Sequence, residues 1–272
     1  MPEGPEIRRA ADSIAAAIKG KGVEQLFFAF KSLKRYEPLL IGTTVLEIST
    51  FGKAMLTRFS NGLNIYTHNQ LYGRWHCCKR GDFPDIRRQL RLAIHTADHS
   101  ALLYSASDIC VLKDEEIAKH PFIKKLGPDL LAPQTRSEEI LERLEEKRFR
   151  NRQLGGLLTD QSFVAGLGNY LRCEILFVCR LSPRLRPVDL EQDRKEELAL
   201  AMLELPRQSY QTGGITNHLL RATQMMEAGK SFEDARFWVF RREGKPCYRC
   251  KTAILRSSQG GQVTYLCPTC QG

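Results

Sequence analysis

The chain has 272 residues, enough to bury a proper core and to hold one large domain or two to three smaller ones. Its 41 Lys and Arg outnumber 31 Asp and Glu, and the resulting charge of +10 draws it toward a polyanion. No apolar run is long enough to span a bilayer, and Glu3, Glu6, Arg8, Arg9 and Asp12 break up the start, which argues against a membrane helix and a signal peptide.

Pro5 suits the first turn of a helix, and Ile7, Ala10, Ala11, Ile14, Ala15 and Ile18 recur at helical spacing until Gly20. From about Thr44 to Ser107 the pattern changes to short alternating runs, with Ser60-Asn61-Gly62 as a tight hairpin turn, so this region is expected to be sheet. Pro121, Pro128 and Pro133 punctuate residues 121–136, the best candidate for an interdomain linker. Helix-compatible patterns come next, at Glu138 to Lys147, Leu157 to Phe163, Tyr170 to Val178 and Leu190 to Leu205. The tail from Arg236 is short, basic and rich in cysteine. The expected domains are therefore residues 1–120, a linker 121–136, a helical domain 137–235 and a terminal module 236–272.

Cys247-x-x-Cys250 and Cys267-x-x-Cys270 are separated by sixteen residues, a spacing suited to a four-thiolate zinc site. A two-residue gap lets both thiolates of a pair reach one tetrahedral ion. A closed site of this kind has no open position for water, so one Zn2+ is expected to build structure rather than perform chemistry. The total of nine cysteines is odd, which suggests a reducing compartment, with Cys77, Cys78, Cys110, Cys173 and Cys179 as ordinary thiols. Between Arg236 and Arg256, seven basic residues face one acidic residue, Glu243, and this element is expected to meet phosphate.

The start, Met1-Pro2-Glu3-Gly4-Pro5-Glu6, has a specific possible chemistry. If Met1 is removed, Pro2 supplies a secondary amine able to attack a sugar C1′ and form an iminium cation, the electron sink that elimination needs. Glu3 would sit beside it as a proton donor. Glu6 is equally well explained by the helix dipole. Lys53, after Phe51-Gly52 at a strand start, is interesting only in this company.

Taken together, the Met-Pro-Glu-Gly-Pro-Glu start, Gly52-Lys53, His68-Asn69-Gln70-Leu71-Tyr72-Gly73, Gly166-Leu167-Gly168-Asn169-Tyr170 and the terminal cysteines resemble the formamidopyrimidine-DNA glycosylase and endonuclease VIII family, essentially end to end. The resemblance implies an α+β multidomain fold: an N-terminal β-sandwich with flanking helices, a helix-two-turn-helix domain and a C-terminal zinc-finger β-hairpin. It implies a base-excision-repair glycosylase with AP lyase activity, which everts a damaged nucleotide from duplex DNA, removes the base and nicks the strand by β-elimination, with δ-elimination to follow. By the same resemblance Pro2 is the Schiff-base nucleophile, Glu3 the proton donor for base removal and Lys53 the general acid for β-elimination. Gln70, Leu71 and Tyr72 fill the space left in the stack, and Asn169 and Lys125 contact DNA, Lys125 replacing an arginine of related enzymes. A single contiguous Gln-Leu-Tyr belongs to the endonuclease VIII branch, which favours oxidised pyrimidines as substrate. A monomer without membrane attachment, in the bacterial cytoplasm and on the nucleoid through DNA, is the corresponding expectation.

Two departures stand out. Five residues before the third cysteine the family carries an arginine linked to the lesion phosphate and to δ-elimination, where this chain has Gln262, which puts the second cut in question. Residues 212–236, with Met225-Met226, are longer than expected and include room for a short helix. Glu174 is a second-rank candidate for positioning the site. Three alternatives stay open on sequence alone: a non-catalytic damaged-DNA-binding protein of the same fold, a glycosylase that prefers oxidised purines, and a generic zinc-ribbon nucleic-acid module.

Overall fold

The computed structural model describes residues 2–259 and 262–272, and the chain forms two compact units, Met1–Lys125 and Leu126–Gly272. The first opens with α1 (Gly4–Ile18), which buries Ile7, Ala11, Ile14 and Ile18 along one stripe. After it come β1 (Gln25–Phe28), α2 (Glu37–Leu40), β2 (Val45–Phe51), β3 (Ala54–Phe59), β4 (Leu63–His68), β5 (Arg74–Lys79), β6 (Leu90–His95), β7 (His99–Tyr104), β8 (Asp108–Lys113) and α3 (Asp114–Ile117).

These strands make two antiparallel sheets, ordered β1-β6-β7-β5 and β2-β3-β4-β8. Leu92, Ile94 and Leu103 from one sheet and Val45, Met55, Phe59 and Ile65 from the other share a core with α1, so the sheets form a sandwich. Side chains alternate along a strand, and in β7 Ala101 and Leu103 enter this core while Leu102 and Tyr104 pack on the opposite face. Each fully buried Ile or Leu contributes about 1.5–3 kcal/mol. The sheet extends past the expected Thr44 to Ser107 at both ends. At the early end, β1 is a four-residue edge strand too short to show a period.

The second unit contains α4 (Ser137–Glu145), α5 (Leu154–Leu157), α6 (Asn169–Val178), α7 (Gln192–Gln211), α8 (Leu219–Glu227), α9 (Phe232–Ala235) and the hairpin of β9 (Leu255–Gln259) and β10 (Gln262–Leu266). Ile140, Leu144, Leu154, Leu171, Ile175, Leu198 and Met202 knit α4 to α7 into one core. A second cluster joins Cys173 and Phe177 of α6 to Trp238, Val239 and Ile254 of the tail.

Two helix expectations are corrected. Leu157 to Phe163 is not a helix: α5 ends at Leu157, and Asp160 then accepts from the Ser162 backbone N–H (2.8 Å) and hydroxyl (2.7 Å), local bonds that favour a turn over a helix. The helix α7 passes its expected end and runs through Pro206 to Gln211, because Leu203, Leu205, Pro206 and Ser209 are all buried and their packing offsets the missing N–H. In the segment 121–136 the two units divide after Lys125, and the residues beyond that point are tied down: Leu130 lies in the helical core and the Thr135 hydroxyl donates to the Asp129 carbonyl (2.7 Å). In the long segment 212–236, α8 and α9 pack on each other through Ile215, Ala222 and Ala235, with Met225 and Met226 against them.

Candidate active site and DNA-contact residues

In the first unit the catalytic candidates converge on the start of α1. Glu3 is the helix N-cap, and its backbone N–H donates to Glu6 Oε2 (3.0 Å), half of a capping box. Glu6 also pairs with Arg9 (3.0 Å), so it has a structural task of its own. The cap holds Glu3 buried, 2% exposed, directly after the half-buried Pro2.

Lys53 lies in the two-residue turn between β2 and β3, where Phe51 pairs with Ala54 and Gly52 takes φ +58°. Glycine at the first turn position is what such a hairpin favours, and here it drives the following lysine inward. Lys53 is 8% exposed. Burial lowers its ammonium below the ordinary lysine value, while the Glu3 carboxylate acts in the opposite sense. Glu3, next to Pro2 in the chain, and Lys53 are thus both buried and within electrostatic reach of each other.

Gln70, Leu71 and Tyr72 occupy the connection between β4 and β5. Neither apolar side chain packs into the core: Leu71 is 59% and Tyr72 70% exposed. The protein spends this exposure on a loop held rigidly at several points. The Gln70 backbone, at φ +49°, donates to His68 Nδ1 (3.0 Å), and the Ser107 hydroxyl donates to Gln70 Oε1 (2.7 Å). Arg88 Nη1 donates to the Tyr72 carbonyl (2.7 Å). A Cβ at Gly73 would lie 2.6 Å from the Asn69 backbone, so only glycine closes the loop. A cavity lined by Pro2, Glu6, Asn69, Leu71, Tyr72 and Arg88 connects this loop to the N-terminus. Lys125 is exposed in the last turn of the first unit, with its backbone N–H on the Phe122 carbonyl (3.2 Å).

In the second unit Asn169 is the first residue of α6, with the extended Gly168 as N-cap. Glu174, fully buried one turn later, accepts four hydrogen bonds: from the Thr216 hydroxyl (2.6 Å) and the backbone N–H groups of Trp238 (2.7 Å), Val239 (2.9 Å) and Phe240 (2.9 Å). Burial outweighs the four donors that pull against it and leaves its carboxyl above the ordinary glutamate value. Glu174 therefore clamps the entrance of the terminal module to α6.

The sulfurs of Cys247, Cys250, Cys267 and Cys270 lie within 4.8 Å of one another, with Cys247 to Cys270 at 3.9 Å and Cys250 to Cys267 at 3.3 Å. Zinc bonds near 2.3 Å in a tetrahedron place sulfurs about 3.8 Å apart, so these residues fit one zinc ion. The Arg249 backbone N–H donates to Cys247 Sγ (3.4 Å), and Cys247 and Cys267 are buried. The zinc is structural.

Of the seven basic residues that led to the expectation of a phosphate-facing element, several are engaged within the protein. Arg242 is buried with its guanidinium 3.5 Å from the Tyr248 ring centroid, and it donates to the Pro246 carbonyl (2.9 Å). Arg249 reaches back over Phe177 (4.8 Å) and donates to its carbonyl (3.1 Å). Arg236 lies over Phe237 (4.3 Å) and donates to the Gly214 carbonyl (3.0 Å), and Lys245 pairs with Asp234 (2.6 Å). Arg241, Lys245, Arg249, Lys251 and Arg256 are nevertheless exposed. Among positioning residues, Arg88, Ser107 and Arg172 escaped the sequence reading. Only Arg172 carried a signal, its i,i+3 spacing from Asn169 on a helix.

Family models match over three segments: the formamidopyrimidine-DNA glycosylase N-terminal domain at residues 1–107, the formamidopyrimidine-DNA glycosylase H2TH domain at 126–219, and the zinc finger found in FPG and IleRS at 244–272. The chain is 48% identical over 271 residues to Endonuclease 8 of Escherichia coli and equally to that of an Enterobacter species, covering 100% of each. Among solved structures, the complex of Lactococcus lactis Fpg with DNA containing an abasic site matches with a TM-score of 0.82 over 99% of both chains, at 20% identity.

Proposed function

The chain belongs to the formamidopyrimidine-DNA glycosylase family, and on that premise we propose how its residues carry out the reaction. It is a bifunctional DNA glycosylase and AP lyase of base excision repair, removing oxidised bases. Pro2, with Met1 cleaved, attacks C1′ of the damaged nucleotide through its secondary amine. The C1′–N bond breaks, Glu3 supplies the proton that lets the sugar ring open and the base leave, and the amine and C1′ become an iminium. Loss of a C2′ proton then expels the 3′ phosphate, the β-elimination, with Lys53 as general acid. An ammonium lowered by burial gives up a proton more readily near neutrality than a solvated lysine does.

Burial of Glu3, next to Pro2 in the chain, in electrostatic contact with buried Lys53 carries this reading. Leu71 and Tyr72, exposed on a braced loop, supply stacking surface where the everted nucleotide leaves the duplex, and Gln70 supplies an amide for the opposite base. Asn169 and Lys125 hold the backbone. The contiguous triplet favours oxidised pyrimidines. The protein acts as a cytoplasmic monomer on duplex DNA, with residues 1–120 as catalytic domain, 121–136 as connection, 137–235 as DNA-binding domain and 236–272 as finger. Among the described residues no helix is long and apolar enough to cross a membrane.

Borohydride reduction during reaction with a duplex containing thymine glycol is expected to trap a covalent complex through Pro2. Absence of trapping in a protein whose N-terminus is verified as free proline refutes the mechanism and supports damage binding without catalysis. Parallel reaction with 8-oxoguanine ranks the two base classes.

A further inference from the structure

Arg172 lies on α6 one turn after Asn169 and is 1% exposed. Its Nη1 donates to the Gly155 carbonyl (2.8 Å) and Gln262 Oε1 (3.0 Å). Its Nη2 donates to Asn169 Oδ1 (2.5 Å), the Val263 carbonyl (3.0 Å) and Thr264 Oγ1 (2.8 Å). None of these five acceptors is a carboxylate.

A guanidinium has only donors, so an amide beside it must turn its oxygen inward. Asn169, at the start of α6, and Gln262, at the start of β10, both do so, and each is left with its NH2 as the polar group for other partners. An amide free to rotate presents oxygen or nitrogen. Held by Arg172, these two present donors only. Gln262 is exposed and lines an open cleft with Arg152, Gln153, Gly156 and Arg172 itself. The ligand that suits two amide donors backed by a buried cation without a carboxylate is an anion of phosphate type.

We propose that Arg172 is a positioning residue for DNA binding: it locks Asn169 and Gln262 as amide donors to the phosphate backbone, so that the finger's glutamine grips phosphate as a neutral donor with the charge one side chain behind it. This rests on the reading of Asn169 as a DNA contact. It assigns Gln262 a defined polarity that glutamine alone does not have.

The test measures affinity of the zinc-loaded full chain for a duplex bearing a tetrahydrofuran abasic analogue, across a salt series. Asn169→Ala and Gln262→Ala are each expected to weaken binding about tenfold, in line with the loss of one hydrogen bond to a charged group. Neither removes a cation, so the slope of log affinity against log salt stays unchanged. Arg172→Lys keeps the charge and loses the planar fork, and is expected to weaken wild-type binding about tenfold but to add nothing in an Asn169→Ala, Gln262→Ala background. Gln262→Glu still accepts from Arg172 but offers no NH2. It is expected to bind at least tenfold more weakly with an undiminished thermal midpoint.

An Arg172→Lys effect that persists in full in the double-alanine background overturns the proposal, as does wild-type affinity in Gln262→Glu. If Arg172→Lys does not fold, Gln262→Glu decides alone. Unchanged affinity in Asn169→Ala instead sinks the parent reading, that Asn169 touches DNA.

Discussion

Replacing Glu174 by Gln tests whether the finger is fastened to the helical core by an ionised carboxylate. In the native chain all four donors meet oxygen: Oε2 takes Thr216 and Trp238, and Oε1 takes Val239 and Phe240. In the variant one oxygen becomes NH2. If the NH2 faces Val239 and Phe240, two backbone N–H groups are left without an acceptor. If it faces Thr216 and Trp238, the hydroxyl can turn to accept and only the Trp238 N–H is orphaned, so this is the cheaper orientation. One buried unsatisfied donor costs about 1–3 kcal/mol, and the surviving bonds also weaken once the charge is gone. The expected loss is therefore about 2–4 kcal/mol, a large share of a stability of roughly 5–15 kcal/mol. Glu174→Ala orphans all three N–H groups and is expected to cost more. Urea unfolding followed by tryptophan fluorescence is the assay, because Trp238 is itself a donor to this carboxylate, with zinc retention measured alongside. A Glu174→Gln variant within about 0.5 kcal/mol of wild type refutes the reasoning. That result means burial has kept the native carboxyl protonated, with an O–H where glutamine has its NH2.

The proposed catalytic pair, Glu3 and Lys53, and the zinc site each set a further outcome. Burial lowers the Lys53 pKa, so the general acid is lost as pH rises through a value below the ordinary 10.5, and lyase rates on a preformed abasic site are expected to fall off there. The Glu3 carboxylate opposes that shift, so Glu3→Gln moves the alkaline limb lower still; an upward move contradicts the coupling of the two residues. Metal analysis is expected to return one zinc per chain, and chelation to abolish DNA binding while the sandwich unit, with its own core, keeps its circular-dichroism signal. Unchanged affinity after verified zinc loss refutes a role for the finger in binding.

How much of this was legible in the sequence depended on whether a feature is local. Helix α1 showed itself through Pro5 and the Ile7, Ile14, Ile18 stripe, and the zinc site through two Cys-x-x-Cys pairs, because both are short-range patterns. Pro2, Glu3 and Lys53 stood out as candidates only as a set, since Glu3, the charge that acts on Lys53, is fifty residues away in the chain. The bracing of the Gln-Leu-Tyr loop was not legible: Arg88 and Ser107 are a sheet away in sequence, and nothing local marks a side chain that will donate to a distant carbonyl or amide. Leu157 to Phe163 misled because its apolar spacing suits a helix while Asp160 offers the backbone a competing turn.

The tail's seven basic residues pointed correctly to a nucleic-acid partner, yet Arg236, Arg242 and Arg249 are spent on aromatic faces and carbonyls, where a planar cation with five donors packs as lysine cannot. The position that the count overlooked, Gln262, carries no charge, and it stands against a buried guanidinium that the count could not place. Net charge therefore reports long-range attraction to DNA, while on the proposal made for Arg172 the grip depends on which polar ends a buried arginine leaves facing outward. If Gln262 grips phosphate as proposed, the charge behind it is the Arg172 guanidinium, one side chain deeper, and the extent of a second elimination depends on how much of that charge the phosphate feels through two oriented amides.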